Sequence, residues 1–247
     1  IVHVHNFFPL LTPSIYDACR EAGAPVVQTL HNYRTICPGA LLMRDGWLCE
    51  DCIGGSPYQA VLHGCYRGSR IGSLAVSRMV DVHRRKGTWR TKVDRFIALT
   101  EFARAKFVEA SFPAEKITVK PNFVEAAKSS GADNAPRSGA LFVGRLSQEK
   151  GVLTMLRAWS SLDAPLRIAG DGPLHDAVIS ADAKRVACLG GKSPDQVAVE
   201  MKSASFLVFP SEWYEGFPMT LAESFSHALP VIASRLGSMA EIVEDGV

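Results

Sequence analysis

No Asp-x-Asp occurs anywhere in the 247 residues, no apolar run approaches the length of a membrane span, and no charged-then-apolar leader pattern stands at the start. The first absence removes a common short route to holding a divalent cation, and the other two give no sign of a spanning helix or a secretory leader. No self-similarity of solenoid period is present, so a repeat architecture is excluded. Cys-x2-Cys occurs once rather than twice, and no base-reading motif accompanies the basic residues, which argues against a nucleic-acid partner. What remains is a chain 47% hydrophobic, able to bury one large core or two modest ones, with the expectation of a soluble globular fold. It opens on Ile1 inside a strand-like pattern and stops after Glu244-Asp245-Gly246-Val247, so the expectation is of a sequence incomplete at both ends.

The net charge of +2 hides an asymmetry. Residues 1–124 carry 16 Lys and Arg against 10 Asp and Glu, whereas residues 125–247 carry 11 against 15. Arg67, Arg70, Arg78, Arg84, Arg85, Lys86, Arg90 and Lys92 are interleaved with Leu74, Val76, Met79, Val80 and Trp89. Such a segment suits an amphipathic helix on anionic lipid or facing a lipid-linked acceptor, or else a solvated face.

Short apolar strands alternate with helical patterns, which predicts an α/β fold with parallel sheets. Strands are expected at 1–5, 26–30, 96–99, 117–119, 140–143, 166–169, 186–189, 206–209 and 231–233, and helices in the first half near 14–22, 71–85 and 102–111. Between 125 and 138 the chain turns small and polar, a linker composition. The reading is an N-terminal domain over 1–124, a linker over 125–138 and a C-terminal domain over 139–247, both domains Rossmann-like and facing across a cleft. Ligands in such sheets bind at the carboxyl ends of strands, which gathers Gly144–Lys150, Gly170–Pro173, Gly190–Lys192 and Glu215–Thr220 on one rim.

Two of these loops carry chemistry. Gly144-Arg145-Leu146-Ser147-Gln148-Glu149-Lys150-Gly151 puts a guanidinium and an ammonium on one strand-to-helix turn, able to grip a diphosphate by bidentate and point-charge contacts. Glu215-Gly216-Phe217-Pro218-Met219-Thr220-Leu221-Ala222-Glu223 follows a strand pattern over 204–209 and brackets a helix N-terminus, with Pro218 expected as the first helical residue. Leu221, Phe225 and Ala228 recur at helical spacing behind it, and the first-turn N–H groups would face an anion.

Together these segments resemble glycosyltransferase family 4, the retaining nucleotide-sugar transferases of GT-B fold. Ala169-Gly170-Asp171-Gly172-Pro173, Leu189-Gly190-Gly191 and Pro121-Asn122 fall in the expected order between and before them. The resemblance implies transfer of a hexose or related sugar, with retention, from a nucleotide-diphosphate donor. Arg145, Lys150 and the N–H groups of Phe217, Met219, Thr220 and Leu221, around Pro218, would stabilise the leaving diphosphate without a metal. It further implies Glu215 at the transferred sugar, Glu223 at the donor ribose, Gly144, Gly172 and Gly191 where the donor approaches the backbone, and His31 near the reacting groups. The acceptor would be a glycan or lipid-linked, in the cytoplasm or at the inner face of a membrane. A fragment that binds a nucleotide sugar without turnover is the alternative; a two-carboxylate glycosidase fits the spacing of Glu215 and Glu223 poorly.

Cys37, Cys49, Cys52 and Cys65 cluster as Cys-x11-Cys-x2-Cys-x12-Cys, while Cys19 and Cys188 stand apart. The cluster is a candidate structural zinc site, with buried free thiols and disulfides as the other readings. The surrounding residues 34–70 show little strand or helix pattern, and a metal would explain how so long a loop is held.

Overall fold

The computed structural model describes residues 1–125, 136–181 and 184–246. By backbone contact the chain forms two compact units, Ile1–Pro121 with Trp213–Phe217, and Asn122–Glu212 with the chain from Pro218 onward. The pentapeptide Trp213–Phe217 therefore groups with the first unit rather than with the strands and helices on either side of it. Of the expected linker, residues 126–135 lie outside the described residues.

The first unit runs β1 (Val2–Val4), α1 (Ser14–Glu21), β2 (Val26–Leu30), β3 (Met43–Arg44), β4 (Trp47–Leu48), α2 (Gln59–His63), α3 (Arg70–Arg85), α4 (Thr88–Thr91), β5 (Arg95–Ala98), α5 (Glu101–Glu109) and β6 (Ile117–Val119). β1, β2, β5 and β6 form one parallel sheet in that order. Val26, Leu30, Phe96 and Ala98 are buried from its central strands β2 and β5. Tyr16, Trp89, Phe107 and Phe112 pack edge-on and stacked beside them. Helix starts follow local chemistry: Thr100 Oγ1 accepts from Ala103 N at 3.1 Å, and Ser69 Oγ from Gly72 N at 3.1 Å. Residues 34–70 are less bare than expected, since they hold α2 and the antiparallel β3–β4 hairpin.

The second unit runs β7 (Ala140–Val143), α6 (Val152–Trp159), β8 (Leu166–Ala169), α7 (His175–Ile179), β9 (Val186–Gly190), α8 (Pro194–Ser203), β10 (Phe206–Phe209), α9 (Met219–Ser226), β11 (Val231–Ala233) and α10 (Ser238–Ile242). Its parallel sheet has the order β11-β10-β7-β8-β9. The first strand thus has the second on one side and the fourth on the other. Chain progress reverses between β7 and β10, the kind of position at which ligands bind beside the carboxyl ends of such strands.

Three local expectations are corrected. Ala204 and Ser205 lie outside β10, because Ala204 caps α8 in extended backbone. Pro218 is the residue before α9, not its first, at φ −73° and ψ 112°. Only Leu221 of the expected apolar stripe is buried: Phe225 is 46% exposed, and Ala228 lies past the helix end at φ 48°. In α3, Val76 and Val80 point into the core, as does Trp89 of α4, so the apolar residues among the basic ones mostly serve packing; Ile71 and Leu74 remain exposed.

Gly151 joins the loop after β7 to α6 in the left-handed region, φ 69°. A Cβ there would lie 1.9 Å from the Pro210 carbonyl oxygen. Gly151→Ala is therefore expected to cost about 2 kcal/mol, from backbone strain plus overpacking. Urea unfolding would show a lower midpoint at constant slope; an unmoved midpoint would mean that this turn relaxes freely.

Candidate active site

In the second unit the rim is assembled from backbone. Gly144 N donates to Ala169 O at 3.0 Å and Gly170 N to Gly190 O at 2.9 Å, continuing the sheet ladder past the strand ends of β7, β8 and β9. Leu146 N then donates to Asp171 O, and Leu174 N to Leu146 O, each at 2.9 Å. The loops after β7 and β8 touch so closely that a Cβ on Gly170 would lie 1.9 Å from Gly144 O, and one on Gly172 2.5 Å from Leu146 O. Only glycine permits that approach.

The loop after β7 is fastened equally to the loop after β10. Glu149 O accepts from Glu212 N at 2.9 Å and from Ser211 Oγ at 3.2 Å, and Ser147 Oγ lies 2.6 Å from Glu149 Oε1. Lys150 Nζ stands 5.6 Å from the centroid of the Phe209 ring, while Arg145 is exposed. The two cations thus leave a loop held on both sides, at the point where the sheet order reverses. α9 follows the loop after β10, and no side chain caps its start. Its first-turn N–H groups and dipole favour an anion there. Glu223, in the second turn of α9, borders a cavity of about 500 Å³ together with Val143, Lys192, Val197 and Met201. Gly191, beside Lys192, has nothing within 4 Å of the point a Cβ would take, so a ligand has room to approach its backbone.

A larger cavity, about 630 Å³, lies among Leu153, Leu156, Trp159 and Ala177. It is bordered by α6 and α7, and also by Gln148 and Glu212 from the loops after β7 and β10.

Glu215 belongs to the first unit. Its neighbour Gly216 approaches the carbonyl of His31, at the end of β2, so closely that a Cβ would lie 2.7 Å from His31 O. Tyr214 packs on Phe102 at 4.7 Å between centroids, and Glu215 is only 5% exposed. His31 itself sits in a histidine row. His5 Nδ1 and His31 Nε2 are 2.9 Å apart, the rings of His3 and His5 are 4.2 Å apart, and His3 Nε2 lies 2.8 Å from Thr29 Oγ1. His5 thereby selects the tautomer of His31: if His5 donates, His31 carries its proton on Nδ1, and if His5 accepts, Nδ1 is a base. Partial burial, then His5, then His3 hold the His31 pKa below its ordinary 6.5.

A parallel sheet with a cationic turn and a helix start at its switch point has known counterparts. Residues 137–247 match the family Glycosyl transferases group 1. A glycosyltransferase of Methanocaldococcus jannaschii, itself uncharacterised, is 40% identical over 110 residues, 43% of this chain and 31% of that protein. The lipopolysaccharide 1,2-N-acetylglucosaminetransferase of Salmonella typhimurium is 29% identical over 181 residues, 62% of this chain and 47% of its own length. Among solved structures, HepE of Anabaena in complex with UDP superposes with a TM-score of 0.67 at 18% identity, over 99% of this chain and 63% of HepE. The chain thus spans about a third to a half of the curated relatives it matches. The fold is that of the GT-B glycosyltransferases it resembles, α/β with parallel sheets.

The glycosyl transferases group 1 match covers Arg145, Lys150, Gly172, Gly191 and Glu223, which in the second unit lie in the loops after β7, β8 and β9 and, for Glu223, in α9. Glu215 and His31 come together separately, in the first unit. Thr29 and Tyr33 carry no signal in the sequence. The Tyr33 hydroxyl is buried, with its pKa pushed up by that burial and then by Tyr214, Glu215 and Glu50. In the sequence, His3 and His5 alternate on the strand expected over 1–5, which would set both beside the same rim as His31; β1 itself ends at Val4.

The depressed His31 pKa has a consequence for stability. Between its folded value and 6.5 the unfolded chain binds the extra proton, so His31's contribution is complete above about pH 6.5 and is lost as pH falls through the folded value. From about pH 7 to about pH 5.5, the melting temperature of the wild type should fall more than that of His31→Gln. Equal acid sensitivity of the two would remove His31 from this role.

Proposed function

We propose that this chain transfers a hexose or related sugar from a nucleotide-diphosphate donor to a glycan or lipid-linked acceptor, with retention at the anomeric carbon. The observation that carries the reading is the loop after β7. It brings Arg145 and Lys150 to the switch point, bound by backbone to the loop that leads into α9. In the reaction the bond from the sugar's anomeric carbon to the diphosphate breaks and one to the acceptor oxygen forms. Negative charge grows on the departing diphosphate, where two cations and the α9 N–H groups stabilise it without reorganising and without a metal. Glu223 serves the donor ribose beside the cavity it borders, and Glu215 the transferred sugar. His31, neutral near pH 7, orients the reacting groups or accepts the acceptor's proton.

The Salmonella relative acts on lipopolysaccharide, and the exposed Arg67, Arg70, Ile71, Leu74 and Arg78 at and before the start of α3 offer a basic, partly apolar surface. Both support a cytoplasmic enzyme that meets its acceptor at a membrane's inner face. Among the described residues no helix is long and apolar enough to cross a membrane. A second reading, donor binding without turnover, is favoured by the share of the relatives that the chain spans.

Calorimetry and kinetics test the assignment. Arg145→Ala or Lys150→Ala should each weaken nucleoside diphosphate binding by about 1.5 to 3 kcal/mol through lost charge-assisted hydrogen bonds. Unchanged affinity in both would move the donor site elsewhere.

Varied-donor kinetics separates the carboxylates. Glu223→Gln should chiefly raise the donor KM, because its contact changes little as the glycosidic bond breaks, whereas Glu215→Gln should chiefly lower kcat. The opposite pattern would reverse the roles, and donor binding with no product over a donor and acceptor panel would favour the second reading.

A further inference from the structure

The segment from Tyr33 to Ser69 is built around one small void. Cys37, Cys49, Cys52 and Cys65, separated by up to 28 positions, all border it. The void has space for about 10 Å³ of a water-sized body, roughly one such sphere. Arg44 and Asp51 close it on the outside, paired at 2.8 Å.

Each cysteine arrives there through a separate piece of backbone. Cys37 ends a turn in which its N–H donates to Tyr33 O at 2.8 Å and its carbonyl accepts from Ala40 N at 2.9 Å. The β3–β4 hairpin delivers Cys49, whose N–H donates to Leu42 O at 2.9 Å, and the next turn, with Ile53 N donating to Glu50 O at 2.9 Å, delivers Cys52. α2 ends at the left-handed Gly64 and hands over Cys65, whose N–H donates to Ala60 O at 3.0 Å. From α3, the Arg84 guanidinium donates to Cys52 O at 2.8 Å and to Gly55 O at 2.7 Å, pinning the knuckle from behind. Gly39 leaves just enough room: a Cβ there would stand 3.7 Å from Cys37 Sγ and 3.4 Å from Cys65 O.

We propose that this knuckle is a structural metal site, in which Cys37, Cys49, Cys52 and Cys65 bind one zinc ion as a tetrahedral thiolate set. Four cysteines from separate pieces of backbone border the same void. A void lined by thiols forfeits dispersion contacts on one side of every wall atom, and thiols are weak hydrogen-bonding groups that cannot repair the loss. The segment has little regular structure to hold it, with two strands of two residues and one helix of five. It also keeps four non-glycine residues at positive φ, namely Ala40, Leu42, Asp45 and Arg67. Zinc–thiolate bonds would supply the cross-links that ladders do not. Among the described residues no group of three or more His, Cys, Asp or Glu is already arranged to hold a metal ion, so the site as proposed requires the cysteine side chains to move on loading. All six cysteines are free. The inference does not depend on the glycosyl-transfer reading.

Elemental analysis of the 247-residue chain, purified with a phosphine reductant and no chelator, is expected to give about one zinc per chain. Stripping the ion with a chelator should lower the melting temperature, and reloading with cobalt(II) should produce sulfur-to-metal charge-transfer bands with tetrahedral d–d absorption. Cys188→Ser should leave these signals intact and Cys65→Ser should weaken them. The wild-type cobalt spectrum decides the matter even if Cys65→Ser fails to fold. A folded wild-type chain that holds no zinc and gives no thiolate charge transfer overturns the site. Disulfides linking these four cysteines by mass spectrometry do the same.

Discussion

The whole candidate donor site depends on one approach of backbone to backbone, Gly170 against the carbonyl of Gly144. A methyl group at that point would separate the loops after β7 and β8, and with them the pairs Leu146 N to Asp171 O and Leu174 N to Leu146 O. The loop after β7 would then keep its ties to Glu212 and Ser211 while losing its other support. Because both sides are held, Arg145 and Lys150 project from a fixed turn rather than from a flexible one. The charge they offer a diphosphate is therefore preorganised, which is where electrostatic stabilisation has most effect.

The first unit solves a different problem. Its sheet ends in imidazoles rather than in a glycine floor, and His31 is held by neighbours of its own kind. Burial, and then the neighbouring imidazoles, disfavour His31 and His3 as cations, so these two rings of the row stay neutral over a range in which an isolated histidine would already be protonated. Glu215 joins this row through Gly216, the residue whose lack of a side chain lets the chain close on the His31 carbonyl. One nine-residue motif thus serves two units, with Glu215 in one and Glu223 in the other.

The strands were legible because buried parallel strands are short apolar runs between turn residues; those at 26–30, 117–119, 140–143 and 231–233 agree with the structure residue for residue. The loops that matter were legible too, since Arg145, Lys150 and the start of α9 follow strands. What escaped was tertiary. Phe225 and Ala228 have the right spacing for a buried face, but α9 stops at Ser226 and the backbone turns left-handed at Ala228. The grouping of Trp213–Phe217 with the first unit rests on the Tyr214–Phe102 ring contact and on Gly216, pairings across more than a hundred residues that no local pattern encodes. Likewise the β3–β4 hairpin has only two residues a side, too few for an alternation to register.

The glycine floor also separates what can vary from what cannot. Its contacts run through main-chain atoms, which any sequence supplies, and through hydrogens at positions 170 and 172, which only one residue type supplies. The intervening side chains, Arg145, Gln148 and Asp171 among them, take no part in holding the loops together by their own atoms in these pairs. Exchanging those side chains would change the ligand that the rim selects and leave these main-chain contacts standing.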